Sequence, residues 1–299
     1  MAISRGILLA GGANSRLYPA TLAAPKSLLP VYDKPLIYYS LSVLMLSEIS
    51  DILIITTPTH LEAHKRLLGD GKKWGVQFTY KTQDKPRGIA DALVLGREFI
   101  NNEGVALALA DNIYYSGGLS EMLKRAAAQE KGATVFAYQV SDPRSFGVVT
   151  FDKQGRAMEL EEKPAKPKSP FAVTGLYFYD DEAVKIAAEL KPSARGEVEI
   201  TDVNREYLRR GTLHVQSLGR GAAWFDTGTP DSLSAACDFV RAVQKGQNLM
   251  IASPEEIAWR NGWIDDGGLL KCAEELGKVP YGDYLRNLAN HDVNIPAAD

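Results

Sequence analysis

The residues best placed to do chemistry stand near the start of the chain, in Leu8-Leu9-Ala10-Gly11-Gly12-Ala13-Asn14-Ser15-Arg16-Leu17-Tyr18-Pro19. An apolar run ends in paired glycines, whose missing side chains let backbone N–H groups approach an anion, and Arg16 adds a fixed guanidinium fork. The same glycines also suit a plain strand-to-helix turn. The stretch is neither a GxxxxGK[ST] loop nor a dinucleotide GxGxxG fingerprint. Lys26 follows in Pro25-Lys26-Ser27-Leu28-Leu29-Pro30, where prolines on both sides stiffen the backbone around one cation. Alone it reads as a surface lysine. Asp111 closes the apolar run Val105 to Ala110, and Asp226 comes much later, beside Trp224 and Gly228. Two hard carboxylates with several waters suit Mg²⁺, although either aspartate alone serves equally well as a helix cap or turn residue.

Positioning such groups needs a scaffold, and the chain alternates short β-branched runs with helical periodicity through its first half. That alternation predicts a mostly parallel sheet covered on both faces. Strands are predicted at Arg5 to Leu9, Asp51 to Thr56, Val76 to Lys81, Val105 to Ala110 and Thr134 to Val140. Helices are predicted at Leu36 to Ser47, His60 to Leu68, Ile89 to Phe99 and Leu119 to Gln129, where apolar residues recur at three and four. Gly147 to Phe151 and Met158 to Glu161 flank Asp152-Lys153-Gln154-Gly155 as a hairpin, and Phe171 to Tyr179 returns to the sheet. Lys163 to Pro170 reads as a loop. Helices dominate from Pro230: Ser232 to Lys245, Pro254 to Asn261, Gly268 to Leu276 and Tyr281 to Leu288.

Composition narrows the partners. The 299 residues are 45% apolar and 24% charged, with 34 Lys and Arg against 37 Asp and Glu, so no basic excess points to nucleic acid and any anionic substrate needs locally placed cations. Cys237 and Cys272 are too few for a disulfide scaffold and read as reduced thiols of a cytoplasmic protein. The start has neither the apolar length nor the cleavage site of a signal sequence, and no run is long enough to span a membrane. His60 and His64, four apart on a helix, lack an HExxH frame and read as solvated helix residues.

Together, GGxxxRLxP, PKxLLP and Val31-Tyr32-Asp33-Lys34-Pro35-Leu36-Ile37-Tyr38-Tyr39 resemble the signature region of the sugar-nucleotide pyrophosphorylases. Within that family the chain is most similar to the members that use dTTP and glucose 1-phosphate. The likeness continues through Asp111-Asn112-Ile113-Tyr114-Tyr115, Glu161-Glu162-Lys163-Pro164, Val173-Thr174-Gly175, Lys191 to Glu197, Glu199-Ile200-Thr201-Asp202, Trp224-Phe225-Asp226-Thr227-Gly228 and Pro254-Glu255-Glu256-Ile257-Ala258. It implies a Rossmann-like, three-layer α/β nucleotidyltransferase fold with a mixed, mostly parallel sheet. Residues 1–140 would form the nucleotide-binding part, 141–229 a sugar-phosphate-binding part, and 230–299 a helical subdomain for assembly and regulation.

The resemblance also implies roles. Arg16, Lys26, Lys163, Asp111 and Asp226 would be catalytic, with the two aspartates holding Mg²⁺. Leu9, Gly11, Gly12, Gln83, Gly88 and Asp111 would bind the nucleotide. A glutamine amide offers the donor and acceptor that match the N3–H and O4 edge of thymine or uracil. Asn112, Gly147, Glu162, Lys163, Val173, Arg195 and Thr201 would bind the sugar phosphate. Tyr115, Gly117, Arg220, Glu255, Glu256, Ile257 and Arg260 would line a regulatory nucleotide site in a homotetramer, although Glu256 and Arg260 are equally an i,i+4 helix pair.

Asn14, Ser27, Asp91 and Phe146 depart from the usual residues of that group, which commonly has a glycine, a glutamine, a glutamine and a tyrosine there. All the charged phosphate and metal groups are kept. The expected activity is formation of dTDP-glucose and pyrophosphate from dTTP and glucose 1-phosphate with Mg²⁺, with UTP accepted. The alternatives are uridylyl transfer, a different hexose 1-phosphate, or a non-catalytic sugar-nucleotide sensor.

Overall fold

Apolar residues fill β1 (Arg5–Leu9) almost from end to end, as they must in a strand covered by side chains on both faces. The structure, a computed structural model, describes residues 3–12 and 15–291. After β1 come a small hairpin of β2 (Pro30–Val31) and β3 (Lys34–Pro35), then α1 (Leu36–Leu46), β4 (Asp51–Thr56), α2 (Leu61–Leu68), β5 (Gln77–Thr82), α3 (Asp91–Leu95), α4 (Arg97–Ile100) and β6 (Val105–Leu109). The chain continues through β7 (Asn112–Tyr115), α5 (Leu119–Ala127), β8 (Ala133–Gln139), β9 (Gly147–Phe151), β10 (Ala157–Glu162) and β11 (Phe171–Tyr179). It then runs through α6 (Ala183–Glu189), α7 (Ile200–Arg209), β12 (Leu213–Ser217) and β13 (Ala223–Asp226). Four helices follow: α8 (Pro230–Gln247), α9 (Pro254–Arg260), α10 (Asp266–Leu276) and α11 (Pro280–Ala289).

The expected α/β architecture is the one observed. β5, β4, β1 and β6 are parallel neighbours, with Leu9 level with Ile55 on one side and Leu109 on the other. β11 runs antiparallel beside β6 and also pairs with β8 and β9, while β10 closes the β9 hairpin and β12 lies parallel to β8. Alternate side chains go to opposite faces. Leu8, Ile54 and Ala108 pack with Leu41, Leu44 and Trp74 on one side, where Ile257, Leu269 and Leu285 from the last three helices join the same core. Ile7, Leu53 and Leu107 pack with Leu93, Val203 and Tyr207 on the other. Among the described residues no helix is long and apolar enough to cross a membrane.

Two expectations need correction. The helix expected over Ile89 to Phe99 is broken at Gly96 into α3 and α4, at the residue least able to hold a helix after proline. His64, read as solvated, is completely buried; it lies four residues from buried Leu68 on the inner face of α2.

Candidate active site

β1, β4, β5 and β6 all point their C-terminal ends the same way, and the segments that leave them carry Gly11, Gly12, Gln83 and Asp111. That edge is where open parallel sheets bind ligands. These residues line a cavity of about 370 Å³ together with Leu9, Arg16, Lys26, Ser27 and Gly88. A second cavity of about 190 Å³ is lined by Asn112, Gly147, Glu162, Lys163, Val173, Thr201 and Asp226. Arg16 and Asp111 line both.

The two aspartates meet because β7 and β13 form an antiparallel ribbon that sets Asp226 opposite Asn112. Lys26 Nζ donates to Asp111 Oδ2 at 2.7 Å and lies 3.7 Å from Asp226 Oδ1, with only 5% of its side chain exposed. Arg16 reaches the same place: a Cβ on Gly228 would fall 2.9 Å from its Nη2 and 3.2 Å from Asp226 Oδ2. Asn112 Nδ2 donates to Asp111 Oδ1 at 2.8 Å. Its own Oδ1 accepts from Trp224 Nε1 at 2.6 Å and from the Gly175 N–H at 3.1 Å. Asn112 therefore orients Asp111 as well as lining the second cavity. Burial first, and the Asp111 charge second, raise the Asp226 pKa above the ordinary carboxylate value, partly offset by Lys26 and Arg16.

On the other side of this junction, Glu162 ends β10 and Lys163 follows with a left-handed backbone at φ 42°, a costly conformation for a side-chain-bearing residue. Lys163 Nζ lies 3.8 Å from Glu162 Oε1. Arg195 donates to Glu162 at 3.2 Å, to Glu197 at 3.3 Å and to Glu199 at 2.7 Å. Thr201 donates to Glu162 Oε2, and a Cβ on Gly147 would sit 2.8 Å from Thr201 Oγ1. Arg195 does not itself line the second cavity; it reaches that cavity through Glu162. Sequence reasoning missed buried Glu199, the strongest partner of Arg195. Two signals mark it: its acidic type four residues after the arginine, and its place at the head of the Glu199-Ile200-Thr201-Asp202 motif.

Gln83 is buried, and its Nε2 donates to Asp91 Oδ2 at 2.8 Å. Gly88 has φ 105°, and a Cβ there would lie 2.3 Å from the Val198 carbonyl oxygen, so only glycine fits. Ser27 Oγ lies 2.9 Å from His64 Nε2, while His64 Nδ1 faces the His60 carbonyl at 2.9 Å. A carbonyl can only accept, which places the ring proton on Nδ1 and leaves Nε2 to accept from Ser27. Burial lowers the His64 pKa and favours this neutral form. Phe146 packs edge-on against Trp224, with ring centroids 5.2 Å apart. Asn14 lies outside the described residues.

Five of the residues expected at a regulatory site, Tyr115, Gly117, Glu256, Ile257 and Arg260, line a separate cavity of about 300 Å³. Glu255 is buried and accepts from the Tyr281 hydroxyl. Arg220 sits in the turn before β13 and does not line that cavity.

Comparison with known proteins places this geometry. The nucleotidyl transferase family profile matches residues 5–243. A glucose-1-phosphate thymidylyltransferase of Neisseria meningitidis is 57% identical over 284 residues, 95% of this chain and 99% of that protein. One from Mycolicibacterium smegmatis is 54% identical over 288 residues, 96% of this chain and all of that protein. A Bacillus anthracis protein assigned as a glucose-1-phosphate thymidylyltransferase, crystallised with a sucrose, superposes with a TM-score of 0.74 at 44% identity, covering 79% of this chain and 95% of that one. With a chain-length likeness of this strength to several such proteins, the chain belongs to the nucleotidyl transferase family, in its glucose-1-phosphate thymidylyltransferase branch.

Proposed function

We propose that the chain transfers the thymidylyl group of dTTP to glucose 1-phosphate, forming dTDP-glucose and pyrophosphate with Mg²⁺. One observation carries the reading: two cavities adjoin where Arg16, Lys26, Asp111 and Asp226 converge. The larger takes the nucleotide and the smaller the sugar phosphate. A phosphate oxygen of glucose 1-phosphate attacks the α-phosphorus in line; the new P–O bond forms as the bond to the bridging β-phosphate oxygen breaks, and pyrophosphate leaves. The attacking oxygen is already ionised near neutral pH, so the chain supplies positioning and charge neutralisation and needs no base or covalent nucleophile.

Arg16 and the backbone N–H groups of Gly11 and Gly12 hold the triphosphate, and Lys26 holds the aspartate pair in place. Lys163 holds the sugar phosphate, with Arg195, expected to do the same, acting through Glu162; Glu162, with Gly147, Val173 and Thr201 around it, accepts from sugar hydroxyls. Gln83 reads the base, with Leu9 and Gly88 beside it. Asp111 and Asp226 suit Mg²⁺: two hard carboxylates share one ammonium, and the charge of Asp111 adds to burial in raising the Asp226 pKa. Among the described residues no cluster of three metal-ligating side chains occurs, which fits an ion that takes its remaining ligands from phosphates and water. Bound there, Mg²⁺ would neutralise phosphate charge as it builds in the transition state.

The test is pyrophosphate release across dTTP, UTP, CTP, ATP and GTP against several hexose 1-phosphates. dTTP is expected to lead with UTP next, since one methyl contact is worth only ~1–3 kcal/mol. A purine triphosphate that outperforms both overturns the base assignment. Asp226→Asn is expected to lower turnover on the order of 10²–10³-fold, the scale of losing one electrostatic group at the reacting centre; full retained activity overturns the metal assignment.

A second proposal concerns the 300 Å³ cavity, as a regulatory site for a nucleotide-type anion in a homotetramer. Arg260 Nη2 is buried there with no hydrogen-bond partner, while its Nε donates to Glu256 at 2.8 Å. Arg260→Ala is expected to remove non-competitive inhibition by the sugar-nucleotide product and leave turnover unchanged. Purely competitive inhibition of the unaltered chain would sink this reading.

A further inference from the structure

Gln83 leaves the end of β5 with 4% of its surface exposed, and Asp91, at the first turn of α3, is 9% exposed. The two share one hydrogen bond, from Gln83 Nε2 to Asp91 Oδ2 at 2.8 Å, and Arg87 Nε lies 3.5 Å from the same oxygen. A carboxylate has lone pairs and no proton to give, so the amide must face it with nitrogen. Turned over, the amide would set its oxygen against the carboxylate oxygen with no hydrogen between them. Gln83 Oε1 is therefore directed away, to a point 3.2 Å from where a Cβ on Gly11 would lie, on the wall of the 370 Å³ cavity. A primary amide nitrogen carries two hydrogens. Asp91 takes one, which leaves the other for a second acceptor.

We infer that Asp91 is a positioning residue for base selection, locking the Gln83 amide in the orientation that accepts from an N3–H and donates to a 4-oxo group. The inference rests on the proposed reading of Gln83 as the residue that meets the base. Thymine and uracil present that N3–H and 4-oxo pair. Cytosine presents a bare N3 and a 4-amino group, the reverse pattern, and would pair with the same amide only after a flip. The flip breaks the bond to Asp91 and leaves two buried acceptors facing each other, the situation in which a polar site discriminates most strongly. A neutral amide or a methyl group at position 91 would leave both orientations open.

The experiment measures kcat and KM for dTTP, UTP and CTP against glucose 1-phosphate in the unaltered chain, Asp91→Asn, Asp91→Ala and Gln83→Leu. CTP is also titrated as a competitor of dTTP, so that a selectivity ratio is obtained even where its turnover is undetectable. Asp91→Asn keeps size and shape while offering either a donor or an acceptor. It is expected to reduce the dTTP-to-CTP ratio about tenfold or more, the scale of one buried hydrogen bond. The change should fall in KM, with kcat for dTTP within about twofold. Asp91→Ala is expected to shift the ratio in the same direction. A purely structural role for Asp91 would weaken all three nucleotides together and leave the ratio in place, which overturns the lock. If Gln83→Leu collapses the ratio while both Asp91 variants preserve it, base reading by Gln83 stands and the lock falls; if Gln83→Leu also preserves it, both fall.

Discussion

Burial and the charge of Asp111 hold the Asp226 carboxyl above its ordinary pKa, so the folded chain binds that proton more readily than the unfolded one. Stability then falls as pH rises from the ordinary carboxylate value of 3.8 through the raised folded value. Asp226→Asn is expected to melt higher than the unaltered chain at pH 7 by ~2–4 °C, the shift that about 1 kcal/mol produces in a domain of this order of size. The gain should shrink toward pH 4, and turnover should be strongly lowered at both. An Asn variant that melts lower at pH 7, measured by calorimetry without Mg²⁺, contradicts this account of the site as strained by its own charge. The buried dyad of Ser27 and His64 shows the opposite economy, since its neutral imidazole and hydroxyl satisfy each other. His64 supplies the buried partner for the Ser27 hydroxyl.

Strand pairing accounts for how Asp111 and Asp226 come together across a long stretch of sequence. The ribbon of β7 and β13 is four residues a side, and Trp224 pins it by donating to Asn112 Oδ1 while packing on Phe146 and Tyr138. Trp224→Phe keeps most of the packing and removes the donor. It is expected to cost about 1–3 kcal/mol of stability, for an acceptor left short of a partner. It should lower kcat more than it raises KM for either substrate, because Asn112 then holds Asp111 less firmly; a variant with unchanged kcat would show that the ribbon only carries weight.

These short elements are also where the sequence was least informative. Long runs such as Asp51 to Thr56 and Phe171 to Tyr179 announce strands through dense β-branched, aromatic and other apolar content, and the observed ends agree with expectation to within a residue or two. β7 and β13 are four residues each and β12 alternates apolar with polar residues, so none shows the apolar run that marks β1 and β6, which are no longer than β12. α7 repeats Ile200, Val203 and Tyr207 on one buried face, a helical period that its sequence does carry. The site residues were legible through motif identity. Their partners were legible only in part: Glu199 stands four residues after Arg195, a local spacing, whereas His64 beneath Ser27 follows from no local spacing, because that contact is made by tertiary packing.

At the scale of the whole molecule, a chain of net charge −3 is proposed to bind two polyanions. Two of the placed cations are already committed to acids, Lys26 to the aspartates and Arg195 to three glutamates, which leaves Arg16, Lys163 and the proposed metal to meet the added charge. The expectation is that nucleotide binding depends on the metal. dTTP at a hundred times its Kd stabilises the fold by ~2.7 kcal/mol, which corresponds to a rise in melting temperature of about 5–10 °C. Most of that rise should require Mg²⁺ and disappear in Asp111→Asn; a metal-independent rise in a thermal-shift titration would remove the aspartates from nucleotide binding. The β9 and β10 hairpin has a practical use that follows from its orientation. Gly147 and Glu162 lie at its base in the smaller cavity, while the turn at residues 152–155 lies at its far end with exposed residues from 153 to 156. Five residues of strand put roughly 16 Å between tip and substrate. A fluorophore or affinity handle fixed at Gln154 would ride on the wall of the sugar site without entering it.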